Sequence, residues 1–179
     1  YLFKEIGFTP IYLEKGFTNK NQNEWLIRNY DASQETLILI VQDKEENIAG
    51  SVTLVFSNDC KLPAEKLYGE EIRNLKAEGH RIAEISRLII SPKYRNSKEI
   101  LLLLFNYLEI YCHHVKKYTC VMVQVNPRHK SYYKLLLKFE EIGVEKCSPY
   151  LNNAPTNLLI LPTSKYQSEV NRIHKMANQ

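Results

Sequence analysis

The chain has 179 residues, of which 44% are hydrophobic, 25% charged and 11% aromatic. This length suits one domain that buries well over half of its unfolded-chain surface, and it is too short for two full enzyme domains. With 6 glycines and 7 prolines, the composition excludes collagen-like and linker-like chains, and the hydrophobic content excludes a disordered tail. No run approaches the ~20 apolar residues of a membrane helix, so we expect a soluble globular domain.

Charge and cysteine content exclude further classes. The 24 Lys and Arg against 20 Asp and Glu give a formal net charge of +4. This excess is spread along the chain, which argues against nucleic acid as a partner. The cysteines (Cys60, Cys112, Cys120 and Cys147) form no C-x-x-C pair, so we expect free buried thiols in the reducing cytoplasm. Because the sequence starts at Tyr1 without a signal-like segment, we expect some N-terminal residues to be missing.

The pattern of apolar residues predicts strands alternating with helices. Two β-branched runs, 36–41 and 48–56, flank the polar stretch 43–47 and predict a β-hairpin. Pro63 then opens a helical pattern that presents Leu67, Ile72 and Leu75 on one face and reaches a C-cap at Gly79. The later predicted elements are a strand over 83–90, a buried helix over 98–117, a strand over 119–125, an amphipathic helix over 129–141, a strand over 157–161 and a helical tail over 164–176.

This order favours an α/β fold with a mixed sheet and helices on both faces. The strand–helix–strand segment 84–125 is expected to form a right-handed parallel unit. No repeat or linker divides the chain, so we interpret residues 1–179 as a single domain.

The first motif that can carry chemistry is Glu84-x-Ser86-Arg87. In a regular strand, Glu84 and Arg87 point to opposite faces, and only a β-bulge turns both toward one cleft. A carboxylate at the end of a strand, beside apolar surface, is suited to take a proton from an attacking amine. The spacing is equally compatible with an Arg–Glu pair that fastens a sheet edge.

The second motif is the turn over residues 93–98, between a strand and a helix. Its N–H groups and the helix dipole favour an anion, and Arg95 and Lys98 add positive charge. No glycine here lets a phosphate approach the backbone, so the turn by itself fits an ordinary solvated turn somewhat better.

The third motif begins at Asn126 and ends at Tyr133, at the carboxyl end of a strand, where open α/β sheets bind ligands. Tyr133 can give a proton to a leaving group, because a phenol of pKa about 10 suits a thiolate of similar basicity, and His129 is a second acid–base candidate. Packing is the commoner role for such a tyrosine. His113 and His114 lack metal-ligand spacing with His129, so no metal site is predicted.

Together these segments resemble the GCN5-related N-acyltransferase superfamily, and within it the long-chain N-acyl amino acid synthases and the acyl-homoserine lactone synthases. Residues 88–92 with Arg95 are similar to the superfamily's acyl-donor motif, and residues 126–133 are similar to a later motif whose tyrosine protonates the thiolate. Four stretches carry the closer resemblance: Tyr1-x-x-x-Glu5-x-Gly7-Phe8, Leu62-Pro63 with Leu75-x-Ala77-x-Gly79, residues 83–88, and Asn126-Pro127-x-His129-x-x-Tyr132-Tyr133. The later Asn153-Ala154-Pro155-x-Asn157-Leu158-Leu159-x-Leu161 fits it too.

The resemblance implies the acyl-CoA N-acyltransferase fold, a mixed and mostly antiparallel twisted sheet with a central splayed parallel pair. It implies that Glu84 is the general base for the incoming amine and that Arg87 orients Glu84 or holds a carboxylate of the acceptor. Tyr133 or His129 would attend the leaving sulfur. The residues implied for donor binding are Leu88, Ile89, Ile90, Arg95, Ser97, Lys98 and Asn126.

The donor loop departs from the superfamily. The usual pattern is Arg-x-x-Gly-x-Gly or Ala, whereas this chain has Arg95-Asn96-Ser97-Lys98-Glu99-Ile100. Such a loop is expected to grip the pyrophosphate of coenzyme A poorly, and the long-chain synthases, which are similar in this respect, take acyl groups from acyl carrier protein. An acidic carrier also suits a basic rim formed by Lys93, Arg95, Lys98, Arg128 and Lys130.

We therefore expect an acyl thioester donor, on acyl carrier protein in preference to acyl-CoA, and no tightly bound cofactor. The expected acceptor is a small molecule with an amine, such as an amino acid. Two alternatives stay open: an acetyl-CoA-dependent small-molecule acetyltransferase, and a non-catalytic module of the same fold that binds an acyl ligand.

Overall fold

The computed structural model describes residues 28–33, 36–58 and 61–163, together with Lys165 and Ser168. The motif at Tyr1, Cys60 and most of the helical tail predicted over 164–176 lie outside these described residues. No helix within the described ranges is long and apolar enough to cross a membrane.

Strands and helices alternate through the described chain. The strands are β1 (Leu37–Gln42), β2 (Ile48–Phe56), β3 (Ile82–Ile90), β4 (Cys120–Val125), β5 (Glu140–Glu141), β6 (Lys146–Ser148) and β7 (Ala154–Pro162). The α-helices are α1 (Glu65–Ala77), α2 (Lys98–Glu109) and α3 (Pro127–Leu136). A π-helical segment, Ile110–Val115, continues α2, and 3-10 turns occupy Asn29–Ala32, Pro92–Tyr94 and Pro149–Leu151.

The strands form one seven-stranded sheet in the order β1-β2-β3-β4-β7-β5, with β6 paired to β7. The predicted hairpin is confirmed, since β1 and β2 pair antiparallel with Leu37 opposite Leu54. Within the described ranges, β3 and β4 are the only parallel pair. The mixed and mostly antiparallel sheet expected from the sequence is therefore present.

Helices cover both faces of this sheet. On one face, Tyr68 and Ile72 of α1 pack with Met122 of β4 in the smaller core. On the other face, Phe105 of α2 packs with Val123 and other strand residues in the larger core. Successive residues along a strand point to opposite faces, so the almost continuous apolar runs of β2 and β4 supply both cores.

The parallel pair separates toward the carboxyl ends of its strands. Pairing runs from Ile82 opposite Cys120 to Ile85 opposite Val123, although β3 continues to Ile90 and β4 to Val125. Beyond Ile85 the two strands therefore form an open wedge in the middle of the sheet. This wedge is the splay that the resemblance implied.

Two predicted helices end earlier than their sequence patterns suggest. The helix predicted over 98–117 is α-helical only to Glu109 and then widens into the π-helical segment. The helix predicted over 129–141 ends at Leu136, and Glu140–Glu141 forms β5 against β7 instead. The chain turns at Lys138, whose φ is 58°, and buries Phe139, so tertiary packing overrides the local helical preference there.

The described cysteines are all free thiols. Cys112 and Cys120 are buried as predicted, and burial raises the pKa of each to about 12, so neither forms a reactive thiolate near neutral pH. Cys147 is exposed on β6, so the expectation of a buried thiol is wrong there. Within the described ranges, this short strand pairs with β7 alone and leaves its other edge open.

Candidate active site

A cavity of about 1260 Å³ occupies the wedge between β3 and β4. Its lining draws on both faces of the sheet, since Leu101 and Val123 belong to the α2 side whereas Tyr30 and Leu62 belong to the α1 side. Sites for small ligands commonly enclose ~300–1,000 Å³, so this one is large enough for a long substrate or for two substrates together. The cavity connects the two faces where the strand pairing ends.

A β-bulge in β3 places Glu84 and Arg87 on the same face. Ser51 of β2 pairs with Ile89 and Thr53 pairs with Ser86, so the single residue between them faces two residues of β3. Arg87 takes the extra position in a left-handed conformation, with φ 47°. Residues three apart in a regular strand point to opposite faces, so only such a bulge lets Glu84 and Arg87 both line the cavity.

Glu84 is a buried carboxylate in the cavity wall, 1% exposed. Its Oε2 accepts a hydrogen bond from the backbone N–H of Ala64 at 2.9 Å, and its Oε1 accepts one from the side-chain amide of Gln124 at 3.0 Å. Burial raises the pKa of Glu84 to about 7, in spite of these two hydrogen bonds, which favour the ionised form. Such a group can take up and release a proton near neutral pH.

Arg87 is held by Asp31 in a buried ion pair. Its Nη1 donates to Asp31 Oδ2 at 3.1 Å, its Nη2 contacts Asp31 Oδ1, and the guanidinium lies 4.8 Å from the centre of the Tyr30 ring. The Tyr30 hydroxyl lies 3.3 Å from Ser86 Oγ, and burial raises the pKa of Tyr30. This cluster fastens the turn Asn29–Ala32 to the bulge of β3.

The two candidates for the leaving-group side lie on α3, whose N-terminus is capped by Asn126. The Oδ1 of Asn126 accepts from the Arg128 N–H at 3.2 Å. Tyr133 is 8% exposed and packs edge-on against Phe139 with ring centroids 5.6 Å apart, and it also lines the cavity. His129 is exposed at the cavity, where its Nε2 accepts from Arg128 Nε at 3.0 Å.

The residues predicted to bind the donor divide into two groups. The cavity is lined by Leu88, Ile89, Arg95 and Asn126. The other three lie beside it: Ile90 packs on the larger core, Ser97 caps α2 by accepting from the Ile100 N–H at 3.4 Å, and Lys98 is exposed at the start of α2.

Sequence reasoning missed three groups around the two buried charges. Gln124 is the one polar residue in the strand Cys-Val-Met-Val-Gln-Val, and that contrast is a signal that was available. The other two groups gave no such signal. Ala64 lies 20 residues from Glu84 in the chain and Asp31 lies 56 residues from Arg87, so no local pattern connects them.

A metal centre has no support in the part of the chain that the structure describes. No three His, Cys, Asp or Glu side chains gather there as metal ligands. The adjacent His113 and His114 stack edge-on, with ring centroids 4.9 Å apart.

Comparison with protein families identifies the group to which this chain belongs. The family model described as N-acyl amino acid synthase FeeM matches residues 10–162. The chain belongs to this family. It is therefore an enzyme of the N-acyltransferase class, and the resemblance seen in its motifs is confirmed. A search of curated protein sequences finds no match.

Solved structures of members and more distant relatives share the fold. FeeM, an N-acyl amino acid synthase from uncultured soil microbes, superposes with a TM-score of 0.76 at 19% identity, over 93% of this chain and 91% of that chain. The CoA-dependent acyl-homoserine lactone synthase BjaI, solved with MTA, gives 0.68 at 14% identity, over 96% and 82%. A mutant of the spermidine N-acetyltransferase SpeG from Vibrio cholerae gives 0.60 at 17% identity, over 92% and 91%. The fold is thus the N-acyltransferase fold.

Proposed function

We propose that this protein transfers a long acyl chain from the thioester of an acyl carrier protein to the amine of an amino acid. The observation that carries the proposal is the cavity through the sheet, with the buried Glu84 on the α1 side and Tyr133 on the α3 side. An amine that enters from the α1 side meets a base. A thioester that enters from the opposite side meets a proton donor for its sulfur.

The reaction forms one C–N bond and breaks one C–S bond. Glu84, directly or through a water, takes a proton from the acceptor ammonium so that the neutral amine can attack the thioester carbonyl. Backbone N–H groups at the unpaired strand edges of the wedge stabilise the negative charge that develops on the carbonyl oxygen. Tyr133 or His129 then gives a proton to the departing thiolate. As the amide forms, the nitrogen loses its remaining excess proton to that deprotonated donor, directly or through water, and Glu84 returns its own proton to solvent.

The charge of the cavity supports an amino acid as acceptor in preference to a polyamine. Among the described residues that line it, six are Lys or Arg and two are Glu. A polyamine carries several positive charges and would meet a wall of like charge, whereas the carboxylate of an amino acid finds nearby cations such as Lys61 and Lys66.

The hydrogen bonds of the donor loop support a carrier protein in preference to coenzyme A. The N–H groups of Tyr94 and Ser97 donate within the turn, to Ser91 at 2.8 Å and to Tyr94 at 2.9 Å. The Ile100 N–H donates to the Ser97 hydroxyl, and Pro92 has no N–H. Since a pyrophosphate is normally bound by several outward N–H groups of such a loop, these internal hydrogen bonds reduce the number of donors that this loop offers it.

The basic rim also supports a protein donor. Arg95 and Arg128 are exposed and line the cavity, and the exposed Lys98 follows Arg95 by three residues, at the start of α2. An acidic carrier can dock on these groups while its thioester enters the wedge. Lys130 contributes less, because its Nζ is paired with Glu141 at 3.1 Å.

The test is product formation with matched donors and acceptors. The enzyme is given palmitoyl-acyl carrier protein, palmitoyl-CoA or acetyl-CoA, each with pooled amino acids, the corresponding amino acid amides, or spermidine, and products are read by mass spectrometry. We expect N-palmitoyl amino acids from the carrier donor. Products from amides or spermidine would contradict the acceptor, and faster transfer from either CoA donor would contradict the carrier.

A matched pair of variants ties any product to the site. Glu84→Gln removes the base, whereas Glu70→Gln makes the same chemical change on the exposed face of α1. Product that disappears with the first variant and persists with the second comes from this cavity and not from a contaminating enzyme.

A further inference from the structure

Among the described residues, Gln124 supplies the one side chain that is hydrogen-bonded to Glu84, the carboxylate that we propose as the base. Its Nε2 donates to Glu84 Oε1 at 3.0 Å, while the Ala64 N–H holds the other oxygen at 2.9 Å. Gln124 also lines the cavity, on the stretch of β4 that follows the last residue paired with β3. At Gln124 the two strands are no longer joined by backbone hydrogen bonds, and the side-chain hydrogen bond to Glu84 connects them instead.

Apart from these two hydrogen bonds, the immediate neighbours of Glu84 do little to stabilise its ionised carboxylate. Its register neighbours are Val55 of β2 and Met122 of β4, both apolar. The facing titratable groups are Glu65 of α1, which acts against ionisation, and the buried phenol of Tyr30. Other charged groups in the cavity are Lys61, Lys66, Arg28, Arg95, Arg128 and the Arg87 that Asp31 holds.

We propose that Gln124 is a positioning residue for the acid–base step: its amide fixes the Glu84 carboxylate toward the cavity and favours its ionised form. It thereby sets the lower pH limit of the reaction. This inference rests on the proposed function, in which Glu84 is the base.

The physical reason is that an amide N–H donates well to a carboxylate and poorly to a protonated carboxyl oxygen. Without this donor, the ionised form loses one of its two hydrogen bonds while the protonated form loses little. The ionisation of Glu84 should then move to higher pH. At a pH below that ionisation, less of the enzyme carries the active base, although the fully ionised enzyme still works.

The kinetic test compares pH profiles of kcat/KM with palmitoyl-acyl carrier protein and the amino acid that gives most product. In Gln124→Leu we expect the acid limb to move up by about one unit, which gives about a tenfold loss of kcat/KM at pH 6 that almost disappears by pH 9. Gln124→Glu should move it further, because a second carboxylate then faces Glu84. Gln42→Leu, the same change at the end of β1, should leave the profile unchanged.

A titration without substrate gives an independent measurement. The carboxyl ¹³C signal of Glu84, assigned by its absence in Glu84→Gln, should titrate at higher pH in Gln124→Leu than in the unaltered protein. An equal midpoint in both proteins would overturn the proposal. So would a loss of rate in Gln124→Leu that is the same at every pH, because this is what a purely structural role produces.

The two proposals fail in distinguishable ways. If Glu84→Gln keeps full turnover, the base assignment is wrong and the role of Gln124 falls with it. If Glu84→Gln is inactive and Gln124→Leu titrates normally, only the role of Gln124 is overturned.

Discussion

At the scale of single residues, the site combines two charges that the fold keeps almost completely from water. Glu84 is 1% exposed and has uncharged hydrogen-bond donors, whereas Arg87 is 5% exposed and is paired with a carboxylate. These environments have opposite consequences. Glu84 is left close to its ionisation at neutral pH, which suits proton transfer, whereas Arg87 is fixed by its ion pair, which suits a structural role.

Replacement of Glu84 by Gln should lower kcat by about 10²-fold or more, because the acceptor ammonium then loses its base. The measurement is the initial rate with the donor and acceptor found in the product screen, over pH 6 to 9. The loss should be largest at low pH, where less acceptor is neutral, and an undiminished rate would rule out Glu84 as the base.

The same variant should be more stable than the unaltered protein at high pH. The pKa of Glu84 is raised in the folded state to about 7, from an ordinary value of 4.5, so its contribution to stability is full below pH 4.5 and is lost as the pH rises to 7. Glu84→Gln escapes this loss and should gain up to about 3 kcal/mol at pH 8. Urea unfolding at pH 5 and pH 8 measures it, and an equal difference at both pH values would contradict the burial argument.

The Arg87–Asp31 pair should behave as a buried ion pair. Its side chains are 2% and 11% exposed, so Asp31→Asn leaves a poorly compensated charge and should lower the free energy of unfolding by about 3 kcal/mol. Glu140→Gln is the matched control, since its pair with Lys165 is 62% and 61% exposed and should be worth under about 1 kcal/mol. Similar small losses in both variants would show that the Asp31 pair contributes little.

At the scale of elements, the loops and helices around the cavity are fastened by a few long-range contacts. The β1–β2 turn reaches the donor loop, where the Tyr94 hydroxyl donates to Asp43, and this hydrogen bond holds the pKa of Asp43 below its usual range. On the opposite side, the Tyr68 hydroxyl ties α1 to the Thr156 carbonyl of β7 at 2.7 Å. Both contacts fix segments that border the cavity.

Tyr94→Phe should weaken donor binding without changing the chemical step. Loss of the hydroxyl frees the donor loop from Asp43 and loosens the position of Arg95 at the cavity, so we expect KM for the acyl carrier to rise a few-fold at constant kcat. Steady-state kinetics measures it, with Tyr107→Phe as control on the exposed face of α2. A change confined to kcat would contradict this role of the loop.

Two glycines near α1 predict opposite effects of alanine. A Cβ on Gly143 would lie 2.7 Å from the ring of Tyr68, which is fully buried and cannot retreat, so Gly143→Ala should destabilise the protein by about 1–3 kcal/mol. A Cβ on Gly69, within α1, meets nothing within 4 Å, so Gly69→Ala should stabilise it by about 0.5–1 kcal/mol. Thermal or urea unfolding decides both, and equal signs would contradict the packing described for Tyr68.

At the scale of the whole molecule, the sheet creates a passage with unequal ends. The α1 end leads to the buried base, and the other end opens beside the exposed cations Arg95 and Arg128. For the docking of a charged partner, the position of Arg95 and Arg128 at this opening therefore matters more than the modest net charge of +4.

Docking of an acidic carrier at this opening should depend on salt. Between 50 and 500 mM NaCl we expect KM for palmitoyl-acyl carrier protein to rise several-fold, because screening weakens charge attraction across the interface. The palmitoyl thioester of N-acetylcysteamine has no protein part and should show little change. The combined variant Arg95→Glu and Arg128→Glu should raise KM for the carrier and flatten its salt dependence, and a dependence equal to that of the unaltered enzyme would place the carrier elsewhere.

Much of the fold follows from patterns that are local in the chain. The β-branched runs of β1 and β2 predicted the hairpin, and the spacing of Ile72 and Leu75 predicted the buried face of α1. The errors fall where distant segments decide. Glu140–Glu141 was predicted as helix but forms a strand, because it makes backbone hydrogen bonds to β7. The stabilisation from this pairing exceeds the small difference between the helix and strand propensities of the segment.

The sequence by itself determined the strands, the helical faces and the motif in which Glu84 and Arg87 stand three residues apart. Only the tertiary structure decided that a bulge turns both onto one face, that Asp31 and not a neighbour pairs with Arg87, and that Ala64 and Gln124 hold Glu84. The reason is physical. Periodicity in the sequence indicates which side of an element is apolar. The burial, the charge partners and the pKa of a residue depend instead on which remote segments pack against it, and only the folded chain brings those segments together.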